Sequence, residues 1–142
     1  MDMSEKLLIV DDEPVMLRLL TMLIKEKTPY EPVITNNPFE ALQMAKEDGF
    51  DLIIADLKMP GLDGAELLEA VKRVHANIPV IIITAYGTTE TAMKILQKGA
   101  FDFITKPFKK EQILNAIDKA FTFVRLKKEN DMLKDRLKIS LN

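Results

Sequence analysis

The chain has 142 residues, of which 47% are hydrophobic and 30% charged, and its formal net charge is −2. This supports one core plus a short extension and excludes a domain coated by a nucleic-acid-binding basic surface. With no cysteine and a single histidine, His75, disulfides, thiolate metal sites and a cysteine nucleophile are excluded, and a Ser-His-Asp triad is disfavoured.

Leu7 to Val10 reads as a strand that runs into Asp11, Asp12 and Glu13. Pro14 suits the first turn of a following helix, where its missing N–H costs nothing. Met16, Leu19, Leu20, Leu23 and Ile24 fall on one face of that helix, which ends before Pro29. Glu31 to Thr35 is a weaker strand, and Pro32 within it predicts an edge position. Asn37 and Pro38 signal a helix start; Ala41, Leu42 and Ala45 form its inner face and Gly49 stops it.

Asp51 to Asp56 begins with a β-branched apolar run and ends on a carboxylate, with Pro60 and Gly61 breaking the chain beyond it. Asp63 and Glu66 form a capping-box pattern. The helix they open carries Leu67, Leu68, Val71 and Val74 inward, with His75 on the surface near its C-terminal end. Val80 to Ile83 is a second fully apolar strand and ends at Thr84. Thr88 caps a helix bearing Ala92, Ile95 and Leu96, which Gly99 stops. Phe101 to Ile104 is the last strand, followed by Thr105, Lys106 and Pro107. The final helix starts near Lys109 and meets no breaker.

Five strands alternating with five helices require parallel pairing and right-handed crossovers. The apolar runs 7–10, 52–55 and 80–83 belong in the middle of such a sheet, covered on both faces. The expectation is a doubly wound, flavodoxin-like α/β domain over about residues 5–122. No apolar run approaches the ~20 residues that a membrane helix needs. The stretch Met1 to Lys6 lacks the features of a secretion signal, so a cytoplasmic protein is expected.

An aspartate after a strand is by itself an ordinary turn residue. Parallel strands, however, share one carboxyl edge, where open α/β sheets place their ligands. Asp11, Asp12, Asp56, Thr84 and Lys106 all end strands and can converge there. Crowded carboxylates raise one another's pKa, and a divalent cation removes that cost. Oxygen-only ligands in small number suit Mg²⁺. Asp56 is then a candidate nucleophile able to form an aspartyl-phosphate, with Lys106 and the metal stabilising the transferring group.

Four stretches now carry a resemblance: Leu-Ile-Val-Asp-Asp-Glu (8–13), Asp-Leu-Ile-Ile-Ala-Asp-Leu-Lys-Met-Pro-Gly-Leu-Asp-Gly (51–64), Ile-Ile-Ile-Thr-Ala-Tyr-Gly (81–87) and Lys-Gly-Ala-Phe-Asp-Phe-Ile-Thr-Lys-Pro-Phe (98–108). In that order and spacing the chain resembles a response-regulator receiver domain of a two-component system. The fold this implies has strand order 2-1-3-4-5. The resemblance implies Asp56 as phosphoacceptor from a sensor histidine kinase. It implies Mg²⁺ held by Asp12, Asp56 and the Lys58 backbone carbonyl, with Asp11 behind them. Lys106 and Thr84 would contact the phosphoryl group, Thr84 and Phe103 would form the switch pair, and the bond before Pro107 would be cis. Lys58 and Tyr86 would influence phosphoryl lifetime. Many receivers carry tyrosine where this chain has Phe103.

Past residue 121 the pattern changes. Phe123, Leu126, Asn130, Leu133, Leu137 and Ser140 are spaced as heptad a and d positions, with Asn130 at an a position. Residues 123–142 are thus a candidate coiled coil for a homodimer. Arg125, Lys127 and Lys128 are diluted by Glu129, Asp131 and Asp135, so direct nucleic-acid contact is not expected. A receiver leading into such a helix resembles NtrC-type transcriptional activators, which implies ATPase and DNA-binding domains further along a longer chain. The rival reading is a Mg²⁺-dependent phosphatase with an aspartyl-phosphate intermediate, whose Asp-x-Asp pair would follow the first strand. A flavodoxin-type cofactor binder lacks its phosphate loop here.

Overall fold

The computed structural model describes residues 5–47 and 49–141. Its elements alternate as expected: β1 (Lys6–Val10), α1 (Pro14–Lys27), β2 (Glu31–Thr35), α2 (Pro38–Glu47), β3 (Leu52–Asp56), α3 (Gly64–Val74), β4 (Val80–Thr84), α4 (Thr89–Gln97), β5 (Asp102–Thr105) and α5 (Lys110–Leu141). All strands are parallel, in the order β2-β1-β3-β4-β5. The sheet is therefore doubly wound, and the strand holding Pro32 is an edge.

Alternate residues of the central strands feed two separate cores. Leu8, Val10, Ile53, Ala55, Val80 and Ile82 pack with Leu67, Leu68 and Val71 of α3 and with Ile95 of α4. Leu7, Ile9, Leu52, Ile54, Ile81 and Ile83 pack with Leu17, Leu20 and Ile24 of α1 and with Ile113, Ile117 and Phe121 of α5. β3 and β4 are buried along their whole length, and each fully buried Leu or Ile contributes about 1.5–3 kcal/mol.

Three inward expectations fail. Leu19, Val74 and Leu96 are 50%, 46% and 45% exposed. The buried stripe of α1 runs through Leu17, Leu20 and Ile24, which turns Leu19 outward. Val74 is the last residue of α3, and α4 buries only Ile95.

Helix starts are chemically specified. Asp63 accepts from the Glu66 N–H at 2.8 Å while Glu66 Oε1 accepts from the Asp63 N–H at 3.1 Å, a closed capping box. Thr88 accepts from the Thr91 N–H at 3.0 Å. α1 differs: Glu13 stands at its N-cap without a side-chain bond to the helix, so its carboxylate is free to point elsewhere.

Candidate functional site

Register brings the strand ends level. Val10 pairs with Ala55, Asp56 with Ile83, and Thr84 with Thr105. The residues that follow therefore share one edge: Asp11 comes beside Asp56, and Lys106 beside Thr84. The Lys106 N–H donates to the Thr84 carbonyl at 2.8 Å, extending the ladder by one residue. The Lys106–Pro107 peptide bond is cis.

Asp11, Asp12, Glu13 and Asp56 each bring a carboxylate oxygen within 4.8 Å of the others. Asp11 and Asp56 are buried, while Asp12 and Glu13 are exposed at the mouth. Lys106 Nζ reaches all but Asp12: 3.1 Å to Asp56, 3.4 Å to Asp11 and 3.7 Å to Glu13. Burial pushes the Asp11 carboxyl up to about 6, against the Glu13 N–H bond and the Lys106 charge, which pull it down. Burial alone would lower the Lys106 ammonium. The charges of Asp11, Asp56 and Glu13 outweigh that and hold it above its ordinary value. One ammonium thus faces several carboxylates, and the pocket retains an excess of negative charge. Four oxygen donors with a partly solvated mouth fit a hard divalent ion such as Mg²⁺, which keeps some of its waters.

The backbone fixes the two buried acids. Asp11 Oδ1 accepts from the Glu13 N–H at 2.9 Å and Asp56 Oδ1 from the Lys58 N–H at 3.2 Å. Each carboxylate thereby presents its other oxygen to Lys106. The Lys58 side chain leaves the pocket and lies over the Tyr86 ring at 5.9 Å, inside cation–π range. The fully buried Thr84 hydroxyl accepts from the Tyr86 N–H at 3.1 Å. Phe103 is half-buried against the α3 core.

Two glycines that sequence reasoning passed over shape this edge. A Cβ on Gly64 would sit 2.5 Å from the Asp56 carbonyl oxygen and 2.9 Å from Leu57 Cα. Only glycine lets α3 start against the end of β3, where its N–H donates to the Leu57 carbonyl at 2.9 Å. A Cβ on Gly87 would meet Thr105 Oγ1 at 2.5 Å and Phe103 Cε1 at 3.0 Å. Glu13 was read from sequence only as part of a motif, yet it completes the cluster. Nothing in the sequence singles it out, because only the structure shows that its carboxylate makes no cap bond on α1.

The tail residues lie apart from this pocket. Leu126, Leu133 and Leu137 are 60%, 56% and 62% exposed on α5, and Asn130 is exposed on the same stretch. Ser140 lies outside the residues whose side chains are described. Among the described residues, no helix is long and apolar enough to cross a membrane.

Comparison with known proteins agrees with this geometry. Residues 7–118 match the family described as the response regulator receiver domain. The transcriptional regulatory protein GlrR of Escherichia coli K12 is 38% identical over 114 residues, which is 80% of this chain and 26% of that protein. An NtrX-like response regulator of Rickettsia bellii is 33% identical over 132 residues, 92% of this chain and 27% of that protein. The chain thus spans about a quarter of the length of these curated relatives. Among solved structures, NtrX from Brucella abortus in complex with ADP superposes with a TM-score of 0.84 at 31% identity, covering 92% of this chain and 30% of that one. The beryllofluoride-activated NtrC4 receiver domain dimer superposes with a TM-score of 0.79 at 34% identity, covering 84% and 98%. The phosphatase reading finds no support among these matches, and receiver domains are signalling domains rather than turnover enzymes. The chain belongs to the response-regulator receiver family of two-component systems, with NtrC-type regulators among its relatives.

Proposed function

We propose that Asp56 is the phosphoacceptor of a phosphorylation switch fed by a sensor histidine kinase. One observation carries this: Asp56 is a buried carboxylate held 3.1 Å from the Lys106 ammonium inside a four-acid cluster. An Asp56 oxygen forms a bond to phosphorus as the phosphorus–nitrogen bond of the donor phosphohistidine breaks and the freed nitrogen takes a proton. Lys106 stabilises charge on the phosphoryl oxygens through the transfer. Asp12, Asp56 and the Lys58 carbonyl would hold Mg²⁺, with Asp11 orienting it from behind. That ion supplies the positive charge that lets a dianionic group approach these acids.

After transfer the phosphoryl group adds about −1.5 to −2 charge and new acceptor oxygens. Thr84 turns its hydroxyl toward them, and Phe103 turns inward into the space this opens behind Thr84. Phe103 has no hydroxyl, so burial of its ring is the available change. The face made by α4, β5 and the start of α5 then alters, as a shift between two populated states. Lys58 and Tyr86, paired beside the pocket, influence how long the phosphoryl group lasts.

Residues 5–122 serve as the receiver and residues 123–142 as the linker helix of a cytoplasmic regulator. The exposed stripe Leu126, Asn130, Leu133 and Leu137 pairs with a second copy as a parallel two-stranded coil. Glu129 at a g position and Lys134 at the following e position favour that alignment by opposite charge across the seam. Transcriptional output passes through ATPase and DNA-binding domains in a longer chain.

The test is labelling with acetyl phosphate and Mg²⁺. The unmodified chain gains one phosphoryl group and Asp56→Asn gains none. Undiminished labelling of Asp56→Asn would reassign the acceptor.

A further inference from the structure

The α5 helix leaves the domain at the N-terminal edge of the sheet, opposite the acidic pocket. There its packing changes character. Phe121 and Val124 are its last buried residues among those described. Beyond them the helix passes a cleft of about 310 Å³ between Phe50, Ile78 and Val124, so apolar contact no longer holds it. Polar contacts replace it. Arg125 Nη2 donates to Glu5 Oε1 at 2.6 Å and to the Tyr30 hydroxyl at 3.1 Å, with Nε 3.2 Å from the same Glu5 oxygen. The guanidinium also lies 5.8 Å over the Tyr30 ring, and that ring stacks on Phe121 at 3.8 Å. Lys128 Nζ donates to Asp51 Oδ1 at 3.2 Å across the cleft.

The two acidic acceptors, Glu5 and Asp51, are themselves fixed to the sheet. The Glu5 carbonyl accepts from the Glu31 N–H at 2.9 Å, and the Asp51 N–H donates to the Lys6 carbonyl at 3.0 Å. Asp51 Oδ2 accepts in return from the Lys6 N–H at 3.1 Å. Two rigid points along one helix face fix both its tilt and its rotation about its own axis. At about 100° per residue, the anchored residues 121, 124, 125 and 128 lie together, and the stripe 126, 130, 133 and 137 is centred roughly 160° away.

We propose that Arg125 and Lys128 are positioning residues that fasten the tail helix to Glu5, Tyr30 and Asp51 and so aim its apolar stripe directly away from the sheet. This rests on the reading of that stripe as a dimer seam. The consequence is geometric: each receiver rides on the outer flank of the coil, and body and helix rotate as one piece when the switch moves. Exposed ion pairs add little to folding stability, so the contacts matter for direction more than for folding.

The absence of cysteine allows unique spin labels at Lys46→Cys on α2 and Asp135→Cys on the outer face of the tail. With labelled chains diluted into excess unlabelled protein, dipolar spectroscopy reads the body-to-tail distance within one chain. The expected result is one narrow distance, lost in Arg125→Ala/Lys128→Ala while circular dichroism and the dimer are kept. Combining Arg125→Glu with Glu5→Arg should recover most of it. An unchanged narrow distance in the double alanine variant would overturn the proposal. Sedimentation of the same proteins reports separately on the seam: a monomer with an anchor-dependent distance sinks the dimer and leaves the anchor standing.

Discussion

Asp11 is the residue on which the electrostatics of the pocket turn. It is buried beside Asp56, and burial pushes its carboxyl up from the usual 3.8 to about 6. Between those values the folded chain binds a proton that the unfolded chain has released. Stability of the metal-free protein therefore falls as pH rises through about 4 to 6. A shift of two units corresponds to at most about 3 kcal/mol, and solvent screening at the open mouth of the pocket reduces this to about 1–2 kcal/mol. Asp11→Asn should flatten this slope and stabilise the metal-free protein at neutral pH by that amount, as urea unfolding in a chelator would show. Identical slopes in the two proteins would refute the assignment. Most of the pocket was legible in the sequence. Asp11, Asp12, Asp56, Thr84 and Lys106 each follow an apolar strand, and parallel strands end at one edge. Glu13 was not legible as a pocket residue, because its placement depends on a cap bond that fails to form.

At the scale of elements, α3 shows how local chemistry serves the site. Its capping box fixes where the helix begins, and Gly64 lets that beginning lie against the Asp56 carbonyl. The two features separate experimentally. Asp63→Ala should cost about 1 kcal/mol through the lost cap while Asp56 labelling continues. Gly64→Ala must displace backbone and should cost about 1–3 kcal/mol, and labelling should slow because the end of β3 moves. Equal labelling rates in the two variants would contradict the proposed role of Gly64. The capping box was readable as a three-residue spacing, whereas the close approach was not, since it sets the start of α3 against the end of β3. The outward placement of Leu19, Val74 and Leu96 has the same origin. Helical spacing marks an apolar stripe, and neighbouring elements decide how much of it is covered.

At the scale of the whole molecule, two ends of the sheet carry two tasks. The carboxyl edge gathers the acids and the opposite edge anchors the outgoing helix. The basic residues Arg125 and Lys128 looked like a diluted charge run in the sequence. Their partners, Glu5 and Asp51, lie 120 and 77 residues away in the chain, a distance that only the fold closes. The proposed dimer seam can be tested with variants of its own. Leu133→Asp should shift the protein to monomer with the receiver still folded. Asn130→Leu should raise the thermal stability of the dimer while admitting other oligomers, because a buried asparagine at an a position trades stability for two-stranded pairing. Sedimentation and thermal unfolding together would detect both, and a Leu133→Asp protein that stays dimeric would move the interface elsewhere.

The proposed switch depends on phosphoryl transfer to one aspartate in an acidic pocket that would hold a metal ion. Peptide mapping after reaction with a small phosphoryl donor, with Mg²⁺ and with a chelator, tests it most directly. The prediction is a single phosphoryl group on Asp56 that forms only when the metal is present. A label on another residue, or one that forms equally well in the chelator, would contradict it.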